Sequence, residues 1–575
     1  MPWISLAFAA SWSVPGDFAD LEAVAEVAED GDLIELGAGD WDGAAFAVSL
    51  EIVGAEGAVI TSTLSSTSEL AVSGVDFEGG APCLRVESGS LWVADALFQG
   101  CASERGSALV AETSEVTLTD VVFVGNRSNQ AGGAVWVHGG ALQAESCTFE
   151  GNHSTYGTGG AIHAVGTELQ LLLTEFTGNS GYDSGGAIYV QSGDLTVEGA
   201  QFSGNKTVYG TGGAIHAVGG LTVGSVDFEN NSAYGGGGCV HAAPDGSDVL
   251  LSMTTFSGCS TTYGGGGALA VSGAGGLRVV DTQLADSKAH EGGGAIAVSG
   301  TGEVALDRVQ AHTGATTYGV GGLLSIRASA VSLTDVVVRD GSAHQGGGAL
   351  FVHASSLVAD ALHVQGGLTT YGTGGAALLE VTEISLSHSV FGGGQSTDAG
   401  GLAATCTSLD LTNNDFVDNH GAGLYASCDG LAVNNLFAWN TGASSSPAKF
   451  THSLVWEDPS TLDASPVSED PLFVNAFADL NLLEGSPAID AGDPSLLDSD
   501  GSRSDIGAYP RLTEPEDTGS TDDTRDSGDP DDTGVNSDDT GVEGDVVLLG
   551  RCGCGGPGAP LGVLGLLLAL VSRRR

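Results

Sequence analysis

The sequence predicts an all-β chain: a right-handed, single-stranded parallel β-helix of about fifteen coils of about 27 residues, with a helical segment at its N-terminal end. Three observations predict it. Glycine pairs return at 132/133, 159/160, 185/186, 212/213, 237/238, 266/267, 293/294, 321/322, 347/348, 374/375 and 400/401, with gaps of 25 to 29 residues. Each pair opens a short apolar strand, as in GGAIHAV and GGALFV, and some fifteen residues later a Phe-x-Gly-Asn signal follows, at Phe123–Asn126, Phe149–Asn152, Phe176–Asn179 and Phe202–Asn205. Between these signals apolar and polar residues alternate, as in LTVEGAQF, and no window sustains a 3.6-residue period. A repeat of this length fits three short strands and three turns; the hexapeptide repeats of left-handed helices are too short.

Stacked coils place equivalent residues about 4.8 Å apart along the axis. Phe98, Phe123, Phe149, Phe176, Phe202, Phe228 and Phe256 are then expected to form an internal aromatic stack. Asn126, Asn152, Asn179, Asn205 and Asn231 are expected to form an amide ladder that satisfies turn backbone groups. The glycines serve turns with positive φ or close approach between coils. Composition agrees: 92 Gly in 575 residues and 15% charged residues suit strands and turns. A net charge of −55 with only 17 Lys and Arg argues against nucleic acid, whose phosphates need basic partners, and suits a secreted or surface protein, with divalent cations as a possible complement.

In chain order, residues 1–11 read as a short signal peptide with an Ala-x-Ala-like end but no basic n-region. Within 12–44, Phe18 to Glu29 carries apolar residues at 18, 21, 24, 25 and 28, one face of a helix, read as a cap over the open end of the coils. The entry DGDLIELGAGDW that follows resembles the opening of many bacterial parallel β-helix proteins. Coils run over 45–440, and their GGA(I/V/L) and FxGN pairing resembles the repeats of the polymorphic outer membrane protein family. That resemblance implies the pectate lyase-like solenoid fold and an exported surface protein, here without the family's autotransporter barrel. Residues 441–510 break the rhythm. Their SPAIDAG (486–492) and DIGAY (505–509) resemble the terminal segment of bacterial β-helix surface proteins, read as a C-terminal cap.

Within 511–550 the stretch 513–545 holds thirteen Asp and Glu against one Arg, which predicts an extended, self-repelling linker. In 551–575, Cys552 and Cys554 precede an apolar run from Ala559 to Val571 and three terminal arginines. This end resembles the myxobacterial-type C-terminal sorting tag, which implies cleavage and a modified cysteine holding the protein at the outer membrane surface. A plain tail anchor is the alternative, although the run is shorter than the roughly twenty residues a span needs. Seven further cysteines fit an oxidising compartment. Their spacing pairs Cys83 with Cys101, Cys239 with Cys259 and Cys406 with Cys428, leaving Cys147 unpaired.

Three stripes are candidate sites. Tyr156, Tyr182, Tyr209, Tyr234, Tyr263, His290, Tyr318, His344 and Tyr371 each lie three residues before a glycine pair, and use seven of the ten tyrosines. Trp136, His163, Tyr189, His216 and His241 take the outward parity of the following strand. Either row reads as a glycan-stacking surface or as a ladder sealing a turn; the pair His216/His241 lacks the carboxylate or cysteine partner of a metal site. The third stripe is acidic, with Asp281, Asp307, Asp335 and Asp360 read as one per coil, in register with Asp95 and Asp120, and Asp498 and Asp500 in a later turn. These are either turn carboxylates bonding local backbone or calcium ligands.

No stretch departs from the repeat to build a catalytic pocket, and Arg278, Arg308, Arg327 and Arg339 form no constellation beyond their proximity to the acidic row. The expectation is a monomeric, surface-anchored rod displaying a binding face for polysaccharide or another cell-surface ligand. The alternatives are a carbohydrate-active enzyme (polysaccharide lyase or glycoside hydrolase) and a passive envelope protein.

Overall fold

A computed structural model describes residues 10–475 and 479–509, all within one compact unit. The expected signal peptide up to Ala9, the acidic linker and the Cys552/Cys554 end lie outside the described residues. The chain winds as a parallel β-solenoid of about 16 turns, almost without helix. Every strand pair of the main ladder is parallel, as between Ile162, Ile188 and Ile215. The ladder starts earlier than expected. Strand β1 (Ser11–Val14) already pairs with β2 (Asp32–Leu36), so it begins at the last residue of the segment read as a leader. Between them, α1 covers only Leu21–Ala25, less than half of the stretch whose periodicity predicts it. Asp20 caps it by accepting from Ala23 N, and Leu21 and Val24 enter the core. The helix ends at Glu26, before the apolar positions beyond Ala25 can extend it.

The interior is built from columns of like residues. Phe77, Phe98, Phe123, Phe149, Phe176, Phe202, Phe228 and Phe256 stack with ring centroids 4.4–5.0 Å apart and planes within 13°. The column begins one coil before the expected Phe98 and resumes with Phe391, Phe416 and Phe437. Beside it runs the amide ladder. Asn179 Nδ2 donates to Asn205 Oδ1 (3.0 Å) and to Phe149 O (2.8 Å), while its Oδ1 accepts from the N and Nδ2 of Asn152. The ladder starts at Cys101 N and runs to Asn231, so each buried amide satisfies backbone groups that the turn leaves orphaned. The disulfides Cys83–Cys101, Cys239–Cys259 and Cys406–Cys428 are formed, and Cys147 is free and buried.

The two glycines of each pair have different tasks. The first adopts positive φ in every pair from 132/133 to 374/375, +65° at Gly159 and +68° at Gly185. The second has no room for a side chain: a Cβ on Gly160 would strike the carbonyl oxygen of Gly186 and stand 2.6 Å from Ser180 N. In the coil at 106/107 serine takes this second place, and its hydroxyl donates to Gly133 O.

The segment read as a C-terminal cap divides: Lys449–Thr451 and Leu454–Trp456 still extend the parallel ladder, and the later part lies along the side of the last coils. Leu480, Leu482, Ala488, Ile506 and Ala508 cover the outward residues Val390, Val417, Leu436 and Ala438. Asn413 Nδ2 donates to Asp505 O (2.8 Å), Gly507 N donates to Asn434 O (2.9 Å), and Ala508 N donates to Asp415 Oδ1 (3.0 Å).

The two glycine positions and the amide ladder predict separable losses. Gly151 has φ +61° and open space around it, so Gly151→Ala should cost only the left-handed strain, about 1–2 kcal/mol. Gly160→Ala should cost about 3 kcal/mol or more, because backbone must move. Gly160→Ser should recover part of that by bonding Gly186 O. Asn179→Ala, which strands buried donors and acceptors in two neighbouring coils, should also cost about 3 kcal/mol. Denaturation midpoints with hydrogen exchange at the flanking coils measure all four.

Candidate functional site

The glycine turns organise two aromatic rows, one on each side of the same backbone. The residue three before each pair sits at the turn's outer edge, where its backbone continues the ladder: Tyr209 N bonds Tyr182 O, and Tyr263 N bonds Tyr234 O. From Tyr156 through Tyr182, Tyr209, Tyr234, Tyr263, His290, Tyr318 and His344 to Tyr371 the rings touch without a gap. Centroids lie 4.8–6.2 Å apart and planes are inclined by 48–64°. The inclination matters, because flat stacking would hide every ring face, as in the buried phenylalanine column. Here part of each face stays open, and the end residues Tyr156 and Tyr371 are 71% and 79% exposed.

The second row is in the expected register, Trp136–His163–Tyr189–His216–His241. It points outward by strand parity, yet the glycine turns lie over it: a Cβ on Gly236 would be 3.6 Å from the His241 ring. From His163 to His241 the rings stack nearly flat, 4.8–5.2 Å apart with planes within 22°. His163 and His216 place Nδ1 against the hydroxyls of Thr158 (2.6 Å) and Thr211 (2.7 Å), and His241 Nδ1 has no partner. Burial, joined by the nearby Arg105 charge, pushes His163 down to about 4. Burial with the neighbouring His241 pushes His216 down to about 3, and burial alone pushes His241 down to about 4. This row is therefore a neutral, half-buried stack, and the most exposed rings belong to the first row.

The acidic stripe is not one row. Neighbouring pairs fix the register, Val280 with Asp307 and Thr282 with Val309, so Asp281 lies beside Arg308, and Arg308 beside Asp335. Asp307 and Asp360 stand one residue earlier, on a different column. Spacing misled here because the gaps between these carboxylates are 26, 28 and 25 residues, whereas the coils step by 27, 27 and 26. Asp281, Arg308 and Asp335 share the left-handed bend with Asp95 and Asp120, all with φ near +50°. Arg308 donates to both oxygens of Asp281 (2.6 and 3.0 Å) and to Asp307 (2.8 Å), and its hydrogen bond holds the Asp281 carboxyl below the usual range. Asp360 accepts from Ser387 (2.7 Å) and meets His388 Nδ1 at 2.9 Å. In the later turn Asp500 accepts from Ser502 N and Oγ, and Asp498 accepts from Asp505 N. Among the described residues no cluster of three His, Cys, Asp or Glu is arranged to hold a metal ion. Asp340 and Asp418 border a hollow of about 280 Å³, but Gly366 and Gly393 stand between them in register. Their coils are thus about 14 Å apart, wider than a glycosidase carboxylate pair.

Sequence reasoning missed a groove of about 680 Å³ before the tyrosine row, which includes Arg85, Arg105, Arg127, Asn129 and Trp136 in its wall. The available signal was scarcity: these arginines are the three basic residues of the first 205 positions.

The model of the Chlamydia polymorphic membrane protein repeat matches residues 146–165 and 174–191, two successive stretches of the coil region. No curated protein matches the chain. Among solved structures, the crystal structure of pectate lyase Pel9A aligns at 12% identity over 88% of this chain and 98% of that one, with a TM-score of 0.15, too low to support any structural comparison. The class that strand registers and repeat match define is a β-helix repeat protein. Among the described residues no helix is long and apolar enough to cross a membrane.

The covered histidines set a pH dependence. A histidine whose folded pKa lies below its unfolded value of about 6.5 takes up its proton mainly on unfolding, so stability falls as pH drops from 6.5 toward 4. Each of His163, His216 and His241 should cost about 1–2 kcal/mol at pH 5 relative to pH 7.5. Replacing all three with Gln should remove that part of the acid loss; thermal midpoints of wild type and variant at both pH values give the difference.

Proposed function

We propose that this is a surface-displayed β-helix protein whose tyrosine edge contacts extended polysaccharide. The observation that supports it is the unbroken, open row from Tyr156 to Tyr371. Nine rings at strand spacing give a strip of about 40 Å, commensurate with several sugars of one chain. Tyrosine offers an apolar face to a sugar's C–H groups and a hydroxyl to its polar rim. Each contact is weak, so affinity comes from their number. The match to a membrane-protein repeat supports display at a cell surface, and the resemblance of the C-terminal end to a sorting tag supports anchoring through Cys552 and Cys554.

Binding should strengthen steadily with glucan oligosaccharide length. Tyr209→Ala with Tyr263→Ala should weaken it at least tenfold and lower the melting point by only several degrees, because four exposed ring contacts of about 0.5–1.5 kcal/mol each are lost. A large fall in melting point with no glycan bound by wild type would leave a structural ladder. For the anchor, Cys552→Ala with Cys554→Ala should release the protein from cells or leave it unprocessed; unchanged, protease-accessible surface protein would exclude the tag.

A further inference from the structure

The groove ahead of the row stands out by charge. The chain carries 72 acidic residues against 17 basic ones, and its first 205 positions hold three basic residues. All three, Arg85, Arg105 and Arg127, come from successive coils and border this one groove. Arg85 is spent on Glu87 and Glu112, at 2.9 and 3.0 Å. The other two form no ion pair among the described residues. Arg105 gives only Nε to Gln130 (3.3 Å) and rests 5.7 Å over the Trp136 ring, and Arg127 gives only Nε to Thr155 (3.1 Å). Glu104, the nearest carboxylate in sequence, is occupied by the side-chain amides of Asn129 and Gln130, both at 3.0 Å. The terminal amino groups of Arg105 and Arg127 thus have no partner among the described residues, and the indole face orients one of the two guanidiniums. An unpaired guanidinium fork in a groove matches a carboxylate in two-pronged fashion.

The groove also joins the aromatic edge. Asn129, in its wall, accepts through its carbonyl from Tyr156 N (2.9 Å), and Arg127 reaches Thr155 beside that first tyrosine. A chain lying on the row runs directly into it. We propose that the groove reads an anionic sugar, a uronate carboxylate held by Arg105 and Arg127, within or at the end of an otherwise neutral polysaccharide. The inference rests on the reading of the tyrosine edge as a glycan track. A fully charged polymer is disfavoured, because the rest of the molecule is strongly acidic. One charge at the groove is not: the groove's own lining carries three arginines against two carboxylates, Glu104 and Glu112, and more distant charges are screened beyond about 8 Å at physiological salt.

The probe is a glucan hexasaccharide bearing a single glucuronate at one end, set against its carboxyl-reduced, uncharged counterpart, with binding to the full-length protein measured calorimetrically. The charged form should bind at least tenfold more tightly, and raising salt from 50 to 300 mM should weaken it alone. Arg105→Gln with Arg127→Gln should abolish the preference while leaving the neutral form unchanged, with melting points confirming the fold. Arg105→Lys, which keeps charge but loses the fork, should retain part of it. Equal binding of the two forms, a preference without salt dependence, or one that survives both Gln variants overturns the inference and leaves the track reading in place. Failure of both forms to bind wild type overturns both. An oligoglutamate of equal charge that binds as tightly overturns the sugar assignment.

Discussion

The approach of one coil's second glycine to the next coil's backbone is the constraint on which the structure depends. At Gly160, Gly186, Gly213 and Gly238 the space a Cβ would need is filled by the carbonyl of the corresponding glycine one coil on. That closeness lets successive turns hydrogen-bond to each other, Gly160 N to Gly185 O and Gly186 N to Gly212 O. It also fixes where each turn lies. With the turn fixed, the residue three positions earlier must fall at its edge and the one three positions later beneath it. Both aromatic rows follow from one steric fact. Ser107 shows the condition under which the rule relaxes: its hydroxyl bonds the carbonyl that a bare methyl would collide with.

The sequence was legible wherever a side chain keeps a fixed offset from that glycine. The tyrosine row, the histidine row, the phenylalanine column, the amide ladder and the three disulfide pairings were all countable from it. Counting failed where coil length varies between the landmark and the residue. Asp307 and Asp360 missed the column of Asp281 by one position, enough to replace a carboxylate neighbour with Arg308. It failed again where contact crosses columns. Arg105 and Arg127 differ both in coil and in position along the strand, so no single period aligns them, and only the fold brings them to one groove. The side-on packing of Leu480 to Ala508 was hidden for a related reason. That segment has no repeat, and its partners Val390 and Val417 look from alternation like solvent-facing residues.

The same architecture separates structural aromatics from displayed ones by ring geometry. Inside, the phenylalanines lie almost parallel because each ring must fill the width of the core at one strand spacing. At the edge nothing presses from outside, and the rings tilt by about 50° or more, as edge-to-face electrostatics favour. The tilted row therefore keeps cohesion between neighbours together with accessible faces. The histidine stack shows the opposite case: under the turns its rings flatten, and their charge is suppressed.

Two buried titrations of opposite sign follow from the way outward-facing strand residues are covered. The glycine turns cover the histidines of the early coils, and the C-terminal segment covers Asp415, whose Oδ1 accepts from Ala508 N while Oδ2 has no partner. Burial pushes that carboxyl up to about 7. A carboxyl raised in the folded state favours folding at low pH, and that contribution fades as pH rises from about 4 through 7. The covered histidines lose stability over much of the same range in the other direction. Acid therefore loosens the coils beneath the turns, while at the C-terminal segment it favours the Asp415 contact and disfavours that of His363, whose ring meets Tyr509 and whose pKa burial lowers. In a solenoid, where each coil depends mainly on its neighbours, such effects stay local. The tyrosine edge lies on the turns over the histidine stack, so its early portion is coupled to the acid-sensitive part of the fold.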